Sequence, residues 1–266
     1  MYVSTTARWM MRGLCAVVVA ILYFPIAYVA RLSVNTAGNY AWPPEGFTLK
    51  WWDQALHEEG PRTALAHSVQ TGLWATVIAL ILGTLAAFAL TRHRFFGRQP
   101  ISLFIVLPIA LPGIVTGIAL LAGFERLGIS LSLMTLVVAH ATFCVVIVYN
   151  NTAARLRRLS PNLEEASADL GAVGYQTFRY ITFPLMRSAL VAAALLAFAL
   201  SFDEIIVTTF TAGIGYKTLP LWFADNFSRP NAIPVVNVVA TFVVIVSIIP
   251  VWLAQRLTDT STSFSH

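Results

Sequence analysis

Residues 164–184 read EEASADLGAVGYQTFRYITFP and bring together three acidic residues, two glycines and an amphipathic segment. The chain around them is very different, since only 11% of its 266 residues are charged and 58% are hydrophobic. Its mean hydropathy of +0.74 is typical of a membrane protein rather than of a soluble domain. This stretch is therefore predicted to lie outside the lipid, with membrane helices on either side of it.

Apolar segments along the chain are long enough to cross a membrane, for which a helix needs about 20 residues. The sequence predicts an all-α polytopic membrane protein with six transmembrane helices, and an even number of spans places both termini on one side. The predicted spans are residues 14–32, 68–90, 101–123, 131–150, 188–210 and 234–254.

The distribution of basic residues predicts the orientation of these spans. Cytoplasmic loops carry an excess of Lys and Arg, and a cytoplasmic N-terminus places most of the 17 basic residues on that side. Both termini and the segment around residue 164 are then cytoplasmic. The residues placed inside are Arg8, Arg12, Arg92, Arg94, Arg98, Arg155, Arg157, Arg158, Arg179, Arg187 and Arg256.

Capping residues predict a helix–turn–helix form for the cytoplasmic segment. Ser160 and Pro161 suit the start of a helix, and the acidic residues that follow favour its positive end. Gly171 is predicted to end that helix, because glycine enters the left-handed conformation without a side-chain penalty. A second helix is predicted over residues 175–181, stopping at Pro184.

The simplest interpretation of residues 151–187 is a well-capped connection whose acids balance nearby arginines. Compact connections are typically about 4–6 residues long, however, and this one is much longer. Its apolar residues Phe178, Ile181 and Phe183 also need a surface to cover them. A docking element for a cytoplasmic partner accounts for both features.

The spacing within this segment resembles the EAA loop of ABC-importer permeases, whose pattern is E-A-A-x3-G-x9-I-x-L-P. The matching positions are Glu165, Ala166, Ser167, Gly171, Ile181, Phe183 and Pro184, and Ser167 and Phe183 depart from the usual Ala and Leu. The stretches LPIALPGIVTG, AHATF, FALSFDEIIVTTF and TLPLWF are also similar to permease subunits of spermidine/putrescine ABC importers. Within that family, the chain is similar to the second of two non-identical permeases.

The resemblance implies a type I ABC-importer permease fold in a bacterial inner membrane. Residues 1–62 would hold the first helix and an outer loop, residues 63–256 the transmembrane core, and residues 257–266 a short cytoplasmic tail. The EAA-like loop (residues 151–187) would sit in a cleft of an ATPase subunit. Its implied coupling residues are Glu165, Ala166, Ser167, Gly171, Ile181 and Pro184, with the Glu165 carboxylate meeting a basic residue of the ATPase.

The energy source is expected to lie outside this chain. The sequence contains no G-x-x-x-x-G-K-[ST] phosphate loop, so a separate subunit or an ion gradient would supply the energy. By the resemblance, the chain is not an enzyme and carries no cofactor or metal, and ATP and Mg²⁺ belong to the partner ATPase. The implied partners are a second permease, two ATPases, an extracytoplasmic solute-binding protein and a polyamine, with no nucleic acid.

Asp203 and Glu204 fall inside the fifth predicted span. A charge at mid-bilayer costs at least about 2.5–3.5 kcal/mol on insertion scales, so such residues usually face water or a partner. One interpretation is an intramolecular pair or a place near the outer headgroups. The other is a cation-attracting station on the substrate path, where one of the two carboxylates faces the path and Phe202 adds a cation–π contact.

Proline, glycine and histidine mark the third and fourth spans. Pro108 and Pro112 are predicted to bend the third span, and Gly113 and Gly117 to allow close helix approach. Packing is the preferred explanation of this pattern, and a kink lining the substrate path is the alternative. His140 is expected to be an interhelical hydrogen-bond partner rather than a proton relay.

Two further functions stay open from the residues alone. The first is a self-sufficient, ion-coupled secondary transporter or a channel, whose coupling ion would use the intramembrane acids. The second is a membrane enzyme, although the sequence shows no HExxH metal site and no nucleophile motif. An importer permease for a small solute other than a polyamine is a further alternative.

Overall fold

The computed structural model describes residues 4–38, 43, 45–160 and 162–262, with the side chains of residues 250, 251 and 253–262 excluded. Most of these residues are helical, and an isolated antiparallel bridge joins Asn35 to Phe47. The helices are α1 Thr5–Leu32, α2 Lys50–His57, α3 Glu59–Arg92, α4 Arg98–Ala110, α5 Gly113–Arg126, α6 Leu133–Arg158, α7 Asn162–Asp169, α8 Gly174–Thr177, α9 Phe183–Phe202, α10 Ile206–Thr211, α11 Leu219–Asn226 and α12 Ile233–Thr262. A π-helical turn, Phe178–Thr182, joins α8 to α9, and a 3₁₀ turn, Pro230–Ala232, precedes α12.

Within the described residues, five helical segments are long and apolar enough to cross a membrane. The number becomes six when the bent pair α4 and α5 is taken as one span. The six predicted spans therefore correspond to helical segments, although two of them are interrupted.

The third predicted span is two helices. α4 and α5 meet at an angle of 108°, with Leu111 and Pro112 extended between them. Pro112 explains the break, because its ring disfavours the helical conformation of the residue before it and it lacks an amide hydrogen. The third span, residues 101–123, is therefore helical on both sides of a break, and the bend predicted from the prolines is present.

The fifth predicted span is also interrupted. α9 ends at Phe202 and α10 begins at Ile206, so Asp203, Glu204 and Ile205 form a short break. A continuous helix over residues 188–210 is therefore wrong. Asp203 follows the twentieth residue of α9, about 30 Å along the helix axis from Phe183. The acidic residues lie at the end of α9 that is remote from the EAA-like loop.

Small residues allow α3, α6 and α9 to pack closely. One buried cluster contains Ala79, Ala139, Cys144, Val148 and Ala197, and a second contains Ala87, Tyr149, Leu156 and Met186. A Cβ atom added to Gly83 would lie 2.8 Å from the Val148 side chain. Close approach through alanine and glycine is the usual basis of helix association in membranes, where lipid removes the hydrophobic driving force.

The chain divides into two compact units. One comprises Met1–Arg62 and Phe223–Ile249, and the other comprises Thr63–Trp222 and Pro250–His266. The second unit holds the EAA-like loop, the broken third span and the acidic break after α9. In the first unit, the Trp51 indole donates a hydrogen bond of 2.8 Å to the Asn35 carbonyl, and a Cβ atom added to Gly38 would lie 3.2 Å from its ring.

Candidate functional site

The first helix of the EAA-like loop forms as its sequence predicts. The Ser160 hydroxyl accepts a hydrogen bond from the Asn162 amide at 3.3 Å, whereas Pro161 lies outside the described residues. α7 ends before Gly171, whose φ of +82° is in the left-handed region. The Ala172 amide then donates to the Ser167 carbonyl at 3.1 Å. The predicted glycine turn is therefore present, and its conformation favours glycine.

A hydrogen bond between two side chains joins the two short helices within the loop. The hydroxyls of Ser167 and Thr177 lie 3.0 Å apart and join α7 to α8. Ser167 is buried, so the departure from alanine at this position supplies an internal contact. The loop is consequently a folded unit rather than a loose connection.

Glu164, rather than Glu165, is the carboxylate that anchors the loop. Its Oε1 atom lies 3.0 Å from the Arg92 guanidinium at the end of α3 and accepts a hydrogen bond from the Thr182 hydroxyl at 3.3 Å. Glu165 and Ala166, the first two residues of the motif, are exposed. The arrangement divides the paired acids into one that holds the loop and one that is open to a partner.

The exposed apolar surface of the loop surrounds its turn. Leu170, Val173 and Tyr175 are 90%, 62% and 72% exposed. Phe178, which the sequence analysis placed among the residues needing a partner, packs instead on Phe88 of α3 with ring centroids 5.6 Å apart. The covering of Phe178 by an external subunit is therefore not required, and the available apolar face lies at residues 170–175.

The connection from the loop into α9 differs from the prediction. The helical chain does not stop at Pro184, because the π turn leads directly into α9, where Pro184 occupies the first turn. Proline is tolerated there because its missing amide has no intrahelical acceptor. Ile181 is half-buried within the π turn. Both motif residues thus lie where the loop enters a spanning helix.

The break after α9 gives its two carboxylates different environments. The Glu204 carboxylate accepts a hydrogen bond of 2.9 Å from the Val207 amide, which satisfies an amide in the first turn of α10. The Asp203 carboxylate is exposed and accepts no hydrogen bond from the described residues. Asp203 is therefore the carboxylate of the pair that is available to a ligand.

His140 of α6 joins the two sides of this break. Its Nδ1 atom lies 2.7 Å from the Ser201 hydroxyl on α9, and its Nε2 atom lies 2.9 Å from the Thr208 hydroxyl on α10. Because Thr208 donates its proton to the Glu204 carbonyl at 2.8 Å, Nε2 must donate to Thr208, and Nδ1 must accept from Ser201. The predicted interhelical role of His140 is confirmed.

Residues of the broken third span lie beside the acidic break. A Cβ atom on Gly113, next to the exposed Pro112, would lie 3.6 Å from Ile206 at the start of α10. A Cβ atom on Gly117 would lie 2.6 Å from the Phe210 ring. The predicted close approach is confirmed for Gly117, whereas a Cβ atom on Gly113 would make an ordinary van der Waals contact. Pro108 lies within α4, half-buried, one turn before the bend.

The aromatic residues near the break pack on one another. Phe202 is half-buried, with its ring centroid 5.8 Å from that of Phe198. A Cβ atom added to Gly72 of α3 would lie 2.9 Å from the Phe198 ring. Among the described residues, no group of three or more His, Cys, Asp or Glu side chains is arranged to hold a metal ion.

The sequence-predicted residues thus form two groups at opposite ends of α9. The coupling residues lie together in the EAA-like loop and at the start of α9, whereas Asp203, Glu204 and Phe202 lie at its far end. The sequence analysis missed the anchoring role of Glu164 and the pairing of His140 with Ser201 and Thr208. Ser201 and Thr208 are seven residues apart in an apolar span, and that spacing was an available signal of a shared helical face.

Comparison with known proteins gives a family and several relatives. Residues 79–263 match the family model described as binding-protein-dependent transport system inner membrane component. The chain is 35% identical over 242 residues to the spermidine/putrescine transport system permease protein PotC of Haemophilus influenzae, covering 91% of this chain and 93% of that protein. It is 32% identical over 230 residues to the putrescine transport system permease protein PotI of Escherichia coli K12, with coverages of 84% and 81%.

A solved structure has the same fold. It is a bacterial ABC transporter involved in the import of the acidic polysaccharide alginate, and the superposition has a TM-score of 0.77 at 18% sequence identity. The match covers 96% of this chain and 99% of that chain. At this identity the likeness concerns the fold, and it confirms the predicted all-α permease architecture.

Proposed function

Because the chain belongs to the inner membrane components of binding-protein-dependent transport systems, we propose that it forms half of the transmembrane path of an ATP-driven polyamine importer. As a member of this family it is a multi-pass inner-membrane permease subunit of an ABC importer, a transport subunit and not an enzyme. Members of such systems work with an ATPase and a solute-binding protein. The proposed substrate is spermidine or putrescine, and the proposed second permease is a non-identical subunit.

The observation that carries the substrate proposal is the exposed Asp203 carboxylate at the break between α9 and α10. Glu204 is tied to the start of α10, so Asp203 remains as the anionic group that can meet a protonated amine. A charge-assisted hydrogen bond of this kind contributes about 1.5–3 kcal/mol. The names of the relatives, which specify spermidine or putrescine transport, support the same substrate class.

The break suits a transport path for a physical reason. Irregular backbone inside a membrane protein occurs where it is buried in protein or lines a water-filled cavity. The bend at Pro112 and the break at Asp203 lie side by side through Gly113 and Ile206. Two neighbouring interruptions therefore place irregular backbone and one exposed carboxylate in the same part of the bundle.

The EAA-like loop is the proposed contact with the ATPase. Its anchored side is held to α3 by the ion pair between Glu164 and Arg92. Its open side carries the Glu165 carboxylate, Ala166 and the exposed apolar residues around Gly171. In the proposed orientation, with both termini in the cytoplasm, ATP-driven closure of the ATPases moves this loop and, through Ile181 and Pro184, the start of α9.

The substrate proposal is tested by uptake into proteoliposomes that contain the complete transporter. Replacing Asp203 by Asn is expected to lower ATP-dependent spermidine uptake about tenfold, which corresponds to the loss of about 1.4 kcal/mol. Glu125→Gln is the matched control, because it removes an exposed carboxylate at the end of α5, away from the break. Equal uptake by the two variants contradicts the assignment of Asp203 to the path.

Two measurements test the remaining parts of the proposal. Calorimetric titration of the transporter's own binding protein with spermidine and putrescine is expected to show saturable binding of at least one of them. If neither spermidine nor putrescine gives a measurable heat of binding, both are excluded as the substrate. Proteoliposomes that contain this chain alone are expected to show no uptake, and gradient-driven uptake without ATP would instead identify a secondary transporter.

A further inference from the structure

A cavity of about 340 Å³ lies where α3 and α6 end and α4 begins. Its lining belongs to these three helices, and all of it lies within the unit that contains the EAA-like loop. Leu90 and Tyr149 are buried in its wall, Arg98 and Ser102 are half-buried, and Gln99 and Arg157 are exposed. The lining residues are Leu90, Arg98, Gln99, Ser102, Tyr149 and Arg157.

The cavity has an uncompensated positive charge. Arg98 and Arg157 both line it, and none of the lining residues is acidic. Neither guanidinium forms an ion pair or a hydrogen bond with the described residues. Two arginines that face one concave space without a carboxylate repel each other, and a bound anion removes that repulsion.

The position of Arg98 makes this charge less favourable still. It is the first residue of α4, and the first turn of that helix contains no acidic residue. A cation near the positive end of a helix is disfavoured, whereas an anion there is stabilised by about 0.3–1 kcal/mol. Helix stability therefore does not account for an arginine at the start of α4. An anion bound between Arg98 and Arg157 does account for it.

The remaining polar groups fit the oxygen atoms of a phosphate. The hydroxyls of Ser102 and Tyr149 lie 2.8 Å apart, and the Gln99 amide lies on the same wall. Guanidinium groups bind phosphate through paired hydrogen bonds, and hydroxyl and amide donors complete such sites. A carboxylate ligand would use fewer of these donors than a phosphate with its larger number of free oxygens.

The surface beside the cavity favours a lipid as the source of the phosphate. Phe96, in the turn before α4, is fully exposed, and Phe95 is 43% exposed. On α4 itself, Leu103 and Phe104 are about two-thirds exposed. Basic groups bordered by exposed apolar side chains are typical of the membrane interface, where headgroups and acyl chains meet.

We propose that this cavity binds the phosphate headgroup of an anionic phospholipid, with Arg98 and Arg157 as its ligands. In the proposed orientation the cavity opens to the cytoplasmic leaflet, which carries the anionic lipids. The acyl chains extend along the exposed apolar side of α4. The inference concerns a lipid site and does not depend on which solute the transporter imports.

The test is native mass spectrometry of the full-length chain in detergent, titrated with phosphatidylglycerol or phosphatidylethanolamine. Phosphatidylglycerol is expected to bind more tightly. The double variant Arg98→Gln/Arg157→Gln is expected to weaken its binding about thirtyfold, since each arginine contributes about fivefold at a membrane surface. Arg94→Gln/Arg158→Gln is the matched control, because it removes the same charge from exposed residues that do not line the cavity.

The result must be separated from misfolding and from other anions. Arg98→Lys/Arg157→Lys keeps the charge but not the paired hydrogen bonds, so it is expected to bind more weakly than the parent chain and more tightly than the glutamine variant. The melting temperature of each variant is compared with that of the parent chain. Equal weakening in the two glutamine variants contradicts a defined site. Displacement of the lipid by inorganic phosphate as effectively as by phosphatidylglycerol excludes a lipid ligand. If the Arg98→Gln/Arg157→Gln variant retains lipid binding but no longer assembles with the ATPase, the two arginines form a protein contact instead of a lipid site.

Discussion

The Nε2 atom of His140 lies 2.9 Å from the hydroxyl oxygen of Thr208, and this bond fixes the start of α10 against α6. Replacing His140 by Leu is expected to lower the free energy of unfolding by about 1–3 kcal/mol, because the buried Ser201 hydroxyl loses its acceptor and Thr208 loses a donor while keeping its bond to the Glu204 carbonyl. The loss is measured by thermal unfolding of the chain in detergent.

A pair of adjacent threonines provides the control for this effect. Thr208 is buried and bonds to His140, whereas Thr209 is exposed and its hydroxyl bonds to the Ile205 carbonyl. Thr208→Val is expected to destabilise the chain by about 1 kcal/mol, and Thr209→Val by less than about 0.5 kcal/mol. A similar loss in both variants would mean that the His140 bond contributes no special stability.

Gly171 and Gly174 allow a matched test of the EAA-like loop. Gly171 has a φ of +82°, whereas Gly174 lies at the start of α8 without a positive φ, and a Cβ atom at either position meets no atom within 4 Å. Gly171→Ala is expected to cost about 1–2 kcal/mol through backbone strain alone. If the loop couples to the ATPase, this variant also lowers uptake per ATP hydrolysed in the complete transporter, and Gly174→Ala does not. If uptake per ATP hydrolysed is unchanged in both variants, the turn at Gly171 is not part of the proposed contact with the ATPase.

Gly117 is expected to be the least tolerant glycine of α5. Its added Cβ atom would lie 2.6 Å from Phe210, while Gly123 on the same helix has nothing within 4 Å. Gly117→Ala is therefore expected to destabilise the chain by about 1–3 kcal/mol through overpacking, with little change for Gly123→Ala. Thermal unfolding measures the stability of the two single variants. Recovery of stability in the double variant Gly117→Ala/Phe210→Leu would show that the added methyl group clashes with the Phe210 ring.

The ion pair between Arg92 and Glu164 is expected to couple α3 to the loop. The two side chains are 17% and 30% exposed, so solvent screens them only in part. A double-mutant cycle with Arg92→Gln and Glu164→Gln is expected to give a coupling energy of about 1 kcal/mol. The pair Asp53 and His57, with both side chains more than three-quarters exposed, is the control and is expected to give a value near zero.

Local signals in the sequence predicted the elements that depend on neighbouring residues. Gly171 ends α7 because its conformation is a property of the glycine itself, and Pro112 breaks the third span because it constrains the residue before it. Six apolar segments of membrane length could also be predicted, because the hydropathy of a segment depends only on its own consecutive residues. These features need no knowledge of the tertiary structure.

Features that depend on distant residues were not predictable in the same way. The stretch SFDEIIVTTF contains neither proline nor glycine, and the break at Asp203 is held by His140, about 60 positions earlier in the chain. Glu164 and Glu165 are adjacent, and Arg92 decides which of them anchors the loop. Arg98 and Arg157 likewise face one cavity only after α4 and α6 have packed together.

The π turn at Phe178–Thr182 has a mechanical consequence for the helix that follows it. The Phe183 amide bonds to the Phe178 carbonyl five residues earlier, so this turn contains one residue more than an α-helical turn. Conversion to α-helical bonding would rotate everything beyond it by about 100° about the helix axis. Such a change of winding at Ile181 would therefore rotate the Asp203 carboxylate, at the far end of α9, by the same angle about the helix axis.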